Sequence, residues 1–280
     1  MRTLHLYNAC MLRPYPALDS VQIDLSDGLL SLRVNDPARR NALDDDAIRA
    51  LNDALETAHN DESVRAVVLS GEGADFCSGF DIVRRNADPN ARPRVGAIQR
   101  RLPSQAHRLI PQLCALQVPV VAAVTGYAVG IGMQLALASD FVVADETATF
   151  WEPFITRGMT PDSGATWLVT RAVGPLRARR LLLLGERLDA RTAQEWGIVH
   201  EVVPAGEAGA AAHALATKLA NGPTVALGLT KALINQAADQ RLDDQLRAEG
   251  FSLEISSRAK DFREGLAAFV QKRPPNFTGQ

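Results

Sequence analysis

The sequence predicts an α/β body that runs into an all-helical C-terminal region. Three features carry this expectation. Pro119 to Asp140, PVVAAVTGYAVGIGMQLALASD, reads as a buried strand, a glycine turn and a helix. A loose order of strand, strand and helix recurs through the chain as far as Val203. From Ala208 to Gln271 the apolar spacing is helical, punctuated at Gly222-Pro223 and Gly250. The expected organisation is an N-terminal extension over 1–20, a core over 21–204 and a helical region over 205–280.

The elements follow in order. Val21 to Leu25 and Leu29 to Val34 alternate apolar and polar residues around Ser26-Asp27-Gly28, which is the pattern of a hairpin. Asn35 to Asn41 is a loop carrying Arg39 and Arg40. Asp44, Asp45 and Asp46 open a helix at the end where acid is favourable, and Ile48, Leu51, Leu55 and Ala58 form its apolar stripe. His59 in its last turn reads as a surface residue. Ala66 to Leu69 is a short buried strand, and Asn86 to Arg94 is a polar, proline-containing loop. Val95 to Leu116 is helical with breaks at Pro103 and Pro111. Phe141 to Ala144 and Ala148 to Phe150 are extended, and Glu152 to Asp162 is a winding loop in which Glu152 reads as a surface carboxylate. Ser163 to Val173 and Pro175 to Leu184 are helices, with Pro175 at a favourable first position. Ile198 to Val203 is the last strand.

At 280 residues, with 46% hydrophobic and 22% charged residues, the chain suits one large globular domain or one with a small appendage. A net charge of −2 gives no footing for a nucleic-acid partner, and no stretch reaches membrane-spanning length. Cys10, Cys77 and Cys114 are odd in number and lack metal-ligand spacing, so they read as free thiols in a reducing compartment, with no metal. Without a basic segment followed by an apolar run at its start, the chain is expected to be cytoplasmic.

The glycine turn admits two readings. Gly126, Gly130 and Gly132 let backbone approach closely, and a helix starting there aims free N–H groups and its positive dipole end at one spot. That would hold an anion or a polarised oxygen. The plainer reading is a strand–helix turn whose glycines only permit close packing.

Four motifs in order, FCSGFDI, PVVAAVTGYAVGIGMQLALASDF, GMTPDSGATWLVTRAVG and LLLLGERLDARTAQEWGIVHEVV, resemble the enoyl-CoA hydratase/isomerase (crotonase) family, from about Val21 to Phe277. The resemblance implies a spiral of β-β-α repeats, with a C-terminal helical region that joins copies into a homotrimer or hexamer. It implies an acyl-CoA thioester as substrate and no separate cofactor. The thioester oxygen would lie between the backbone N–H groups of Phe80 and Ile131. A branched Ile131 is expected to narrow the approach to that oxygen.

By the same resemblance, the two glutamates of a hydratase belong at Gln134 and Phe154, and neither residue can move a proton near neutral pH. Asp162, in TPDSG, matches the place where double-bond and epoxide isomerases of the family carry a catalytic aspartate, and where its dehalogenases carry a nucleophile. An apolar pocket of Gln134, Trp151, Phe154 and Trp167 is expected beside it and should raise its pKa. Asp162 also reads as a helix N-cap before Ser163-Gly164-Ala165, a role that would spend the carboxylate. His107, in SQAHRLI, is the second catalytic candidate, near the dehalogenases' water-activating histidine; a structural histidine is its plainer role. Glu152, two residues before the place of the second hydratase glutamate, is a third candidate if the loop is shifted, a surface carboxylate being the simpler reading. Arg39, Arg40, Ser78, Ile82 and Lys272 are candidate coenzyme A contacts, though the charged ones read equally as solvated surface groups.

The expected chemistry is a double-bond shift through a thioester enolate, with Asp162 as the proton carrier. Two rivals stand beside it. One is nucleophilic or hydrolytic chemistry through Asp162 and His107. The other is a non-catalytic acyl-CoA-binding protein.

Overall fold

The computed structural model describes residues 15, 18–87 and 94–280. Cys10, nearly all of the expected extension over 1–20 and most of the expected loop over 86–94 lie outside the described residues. Strands β1 (Val21–Ser26) and β2 (Leu29–Val34) form the expected antiparallel hairpin. Asp27 and Gly28 both take positive φ in its turn, the conformation that matches the twist of the flanking strands. Helix α1 (Asp45–Asn60) is capped by Asp44, whose side chain accepts from the N–H groups of Asp46 and Ala47. Its stripe of Ile48, Leu51, Leu55 and Ala58 is buried.

Strands β3 (Ala66–Gly71), β4 (Val120–Val124), β6 (Phe141–Asp145) and β9 (Glu201–Val203) join the hairpin in a six-stranded sheet ordered β1-β2-β3-β4-β6-β9. All pairings after the hairpin are parallel. Strands β5 (Tyr127–Val129), β7 (Thr149–Trp151) and β8 (Arg187–Asp189) make a second, three-stranded sheet ordered β5-β7-β8. The chain thus alternates between sheets as it advances: β4 enters the large sheet, β5 the small one, then β6 the large and β7 the small. A helix closes the first of these turns, α5 (Ile131–Ala138), and another follows the second, α6 (Ala165–Leu183). This is the spiral that the resemblance implies. The main core lies between the large sheet and helices α1, α5 and α6, together with α4 (Ala106–Ala115).

Three expectations change. The helical region over 95–116 breaks at Pro103 only: α3 (Ala97–Arg101) ends there, whereas α4 runs through Pro111. Pro111 supplies no N–H, so the helix continues with the His107 carbonyl lacking its usual donor. Strand β8 was not anticipated, because three residues with one buried side chain carry no periodicity. The helical region expected from 205 is not separate throughout. Helix α8 (Ala208–Ala220) lays Ala208, Ala212, Ala216 and Ala220 on the far face of the large sheet, against Val68, Val121 and Val143. The kink in α6 at Gly174, which departs from helical backbone, divides that helix where the sequence divides it.

Beyond α8 come α9 (Thr224–Ala237), α10 (Leu242–Ser256) and α11 (Lys260–Gln271). Lys231 pins α9 to the core, with its Nζ 2.8 Å from an Asp140 oxygen and within reach of the Leu113 and Val118 carbonyls. Phe251, Leu253, Leu266 and Phe269 on α10 and α11 are exposed. No helix among the described residues is long and apolar enough to cross a membrane.

Candidate active site

The site is built where the segment after β3 meets the start of α5. Cys77 pairs with Ala128 as a parallel bridge: the Cys77 N–H donates to the Tyr127 carbonyl at 2.8 Å, and the Val129 N–H donates to the Cys77 carbonyl at 2.9 Å. Beyond the bridge Gly130 turns the chain into α5, and Gly132 in its first turn stands against the Cys77 carbonyl. On its other side the segment is held by Leu43, which donates to Gly79 O and accepts from the Asp81 N–H, both at 2.8 Å. These bonds spend the amides around Phe80 and leave its own N–H without an acceptor among the described residues. Ile131 begins α5, so its N–H has no intrahelical partner, and it finds none elsewhere among the described residues. Gly130, at φ 52 and ψ −124, takes a backbone conformation nearly closed to other residues and turns the chain into the helix. An unspent amide at a helix start, that of Ile131, with a second on the neighbouring extended segment, that of Phe80, is suited to a developing oxyanion. The expected narrowing by Ile131 is not found: its side chain is 4% exposed and packs in the main core.

Asp162 does not cap a helix. Helix α6 begins at Ala165 behind Gly164, with no side-chain cap bond, so the carboxylate is not spent on backbone N–H groups. Partial burial pushes its pKa up, while the Ser163 hydroxyl and the nearby His107 pull it back. His107 is brought to the same place: its Nε2 accepts the Ser163 N–H at 3.4 Å. Ser163 itself is buried with a positive φ, which shows how tightly this corner is held.

Gln134 and Phe154 also reach the site. The tip of the Phe154 ring lies 3.9 Å from where a Cβ on Gly130 would stand. Gln134 is fully buried, and its Nε2 sits 3.5 and 3.3 Å from the two oxygens of Glu152. For Glu152 the simpler sequence reading does not hold. It is 1% exposed and not a surface carboxylate. Burial drives its pKa well above the ordinary value, the Gln134 amide opposes that, and the Asp162 charge adds to it. The available signal was weak: Glu152 follows β7 on the face opposite Trp151.

A stability consequence follows from Glu152. A carboxyl with a raised folded pKa contributes fully below its unfolded value, near 4.5, and loses that contribution as pH rises through the folded value. The near-isosteric Glu152→Gln cannot ionise. Its melting temperature should therefore exceed that of the wild type by a margin that grows as pH rises from about 5 to 9. Thermal unfolding followed by circular dichroism checks this, and a constant gap would contradict it.

The remaining candidates sort less well. Trp151 turns away: its indole N–H donates to Gly185 O at 2.8 Å, and Arg187 stacks 4.1 Å from its ring. Trp167 is 50% exposed under the Arg171 guanidinium. Neither builds the apolar pocket expected beside Asp162, because β7 and α6 each present their buried face elsewhere. An apolar cleft of about 500 Å³ opens instead beside His107, lined by Val95, Ile98, Leu102 and Pro103. Arg39 is held by Asp36 and by Asp81 at 2.7 Å, so its charge is already paired within the chain. Arg40 is exposed, 5.1 Å above the Tyr127 ring and 4.0 Å from Asp75. The Ser78 N–H is spent on Arg40 O and that of Ile82 on Phe80 O. The Ile82 carbonyl is taken as well, by the Asn86 N–H at 3.2 Å and the Asn86 side-chain amide at 2.7 Å. Lys272 stands exposed at the end of α11 and makes no contact with these groups among the described residues.

The family model described as Enoyl-CoA hydratase/isomerase matches residues 24–280. The 1,2-epoxyphenylacetyl-CoA isomerase of Escherichia coli K12 is 39% identical over 90% of this chain and 96% of its own. The 2,3-dehydroadipyl-CoA hydratase of the same strain is 35% identical over 90% and 96%. A solved enoyl-CoA hydratase from Polaromonas sp. JS666 superposes with a TM-score of 0.86 at 35% identity, covering 92% of this chain and 99% of that one.

Proposed function

The chain belongs to the enoyl-CoA hydratase/isomerase family, and from that premise we propose that it isomerises an acyl-CoA thioester through an enolate, with Asp162 as the base. The observation that carries this reading is the state of Asp162. Its carboxylate is free of the helix end, raised in pKa and close to His107. By the family resemblance, Gln134 and Phe154 take the places of a hydratase's two glutamates, and neither can move a proton. The amides of Phe80 and Ile131 would take the thioester oxygen and acidify the α-proton; one such donor typically contributes about 3–4 kcal/mol. Asp162 would remove that proton, and reprotonation at the γ-carbon would complete a double-bond shift. The cleft beside His107 suits the acyl group, and Arg40 is available for a phosphate of coenzyme A. The exposed apolar side chains of α10 and α11 favour assembly into a trimer or hexamer.

The similarity to 1,2-epoxyphenylacetyl-CoA isomerase favours a second substrate for the same machinery. In such an arylacetyl thioester the α-carbon adjoins the epoxide, so the same enolate would drive opening of the strained ring. The test supplies the purified protein with a 3-enoyl-CoA and, separately, with 1,2-epoxyphenylacetyl-CoA, in heavy water. The expected result is an isomer of unchanged composition apart from deuterium, with conjugated absorbance. Addition of water, or tight binding with no turnover of either compound, would overturn the reading. A covalent acyl-enzyme in the intact mass would move the chemistry to Asp162 as nucleophile.

A further inference from the structure

Asn41 is a buried polar residue that the proposed chemistry leaves unused, and three stretches of chain meet at its side chain. It is fully buried, with φ 57 in the left-handed region, which asparagine enters more readily than most residues. Both of its amide protons are used: Nδ2 donates to Glu72 O at 2.9 Å and to Asp75 O at 2.5 Å. Its Oδ1 accepts the Asp36 N–H at 2.8 Å, and its own N–H donates to Asp36 O at 2.8 Å. Gly71 makes room for the amide, since a Cβ there would stand 2.7 Å from Nδ2. An apolar side chain at 41 would leave two carbonyls and an N–H without these partners.

The residues beside Asn41 hold the segment that carries the Phe80 N–H. Arg40 O accepts the Ser78 N–H at 2.9 Å. Leu43 forms a parallel bridge with Phe80, donating to Gly79 O and accepting from the Asp81 N–H. Residues 40–43 are therefore the template along which 78–81 are laid. Through Asp75 O, Asn41 also grips the chain just before that segment begins. The segment is thus fixed at its start and along its length, which leaves the Phe80 amide little freedom to turn.

We propose that Asn41 is a positioning residue of the oxyanion site. By joining Asp36, Glu72 and Asp75 it sets the direction of the Phe80 N–H, and so acts on the developing charge more than on the binding of the thioester. The proposal rests on the reading that Phe80 and Ile131 hold the thioester oxygen.

The test is the full-length Asn41→Gly protein. Glycine takes φ 57 without strain, so the change removes the side-chain grip and keeps the backbone. The probe is cinnamoyl-CoA, which has no γ-proton to move and absorbs at longer wavelength as its carbonyl oxygen takes stronger hydrogen bonds. The wild type should bind it with a red shift. Asn41→Gly should bind it within about threefold of the wild-type Kd yet show less than half of that shift, and should turn over the wild-type substrate about 10²-fold more slowly at saturation. A lowered melting temperature with unchanged red shift and kcat would make Asn41 a structural residue only and overturn the proposal. If Asn41→Gly does not fold, Asn41→Asp takes its place: it keeps the volume, the acceptor and the tolerance of positive φ, loses the donors, and should show the same split. A wild type that binds the probe with no red shift would remove the oxyanion reading and this inference with it. A wild-type shift that survives both substitutions would overturn this inference alone.

Discussion

Asp162→Asn should lower kcat by about 10²–10⁴-fold with little change in KM. Asparagine keeps the shape and the polarity of the side chain but cannot accept a carbon-bound proton. The fold should survive, since Asp162 caps no helix and its partial burial already disfavours the ionised form. Steady-state kinetics on the substrate that the wild type turns over, with circular dichroism as the fold control, decide the matter. Activity within tenfold of wild type would remove Asp162 from the mechanism. The variant also separates base from nucleophile. As a base, Asp162 leaves no adduct in the wild type. As a nucleophile it would leave a covalent ester that the asparagine variant lacks.

Gly132→Ala should be the most damaging small change near the amides of the site. A Cβ there would stand 2.3 Å from the Cys77 carbonyl oxygen and 2.9 Å from the Cys77 Cβ. The Cys77 carbonyl cannot simply yield, because it accepts the Val129 N–H at 2.9 Å, and that bond ties the segment before Phe80 to the strand before Ile131. The displacement must pass into the spacing between the Phe80 and Ile131 amides. Overpacking of this kind costs about 1–3 kcal/mol of stability. Misplacing one donor should cost about 10²–10³-fold in kcat. Gly209→Ala is the matched control: it lies in α8, and a Cβ there meets nothing within 4 Å. That change should be neutral or should stabilise by up to about 1 kcal/mol. A Gly132→Ala protein with wild-type kcat would show that the glycine serves packing alone, the plainer of the two readings open to the sequence.

Much of the fold was legible because its signals are local or periodic. The Asp-Gly turn, the acidic start and apolar stripe of α1, the apolar runs of β3, β4 and β6, and the kink at Gly174 each lie within a few residues. The family resemblance was legible for a related reason: ordered motifs survive in the sequence whatever their side chains touch. These determined the spiral, and they singled out the Phe80 and Ile131 amides and Asp162 as the groups to test.

The electrostatics of the site belonged to the tertiary structure. Whether Asp162 caps α6 depends on where that helix begins, and only the chain path through Ser163 and Gly164 sets its start at Ala165. Glu152 and Gln134 are 18 residues apart and meet only once α5 packs beside β7. His107 and Ser163 meet across 56 residues. Trp151 and Trp167 look like pocket residues by type, yet Gly185 and Arg171 claim them from elsewhere. Local pattern sets which backbone groups are free, because hydrogen bonding follows chain geometry. The desolvation that raises the proton affinity of Asp162 and Glu152 is a sum over distant neighbours, and no short stretch of sequence contains that sum.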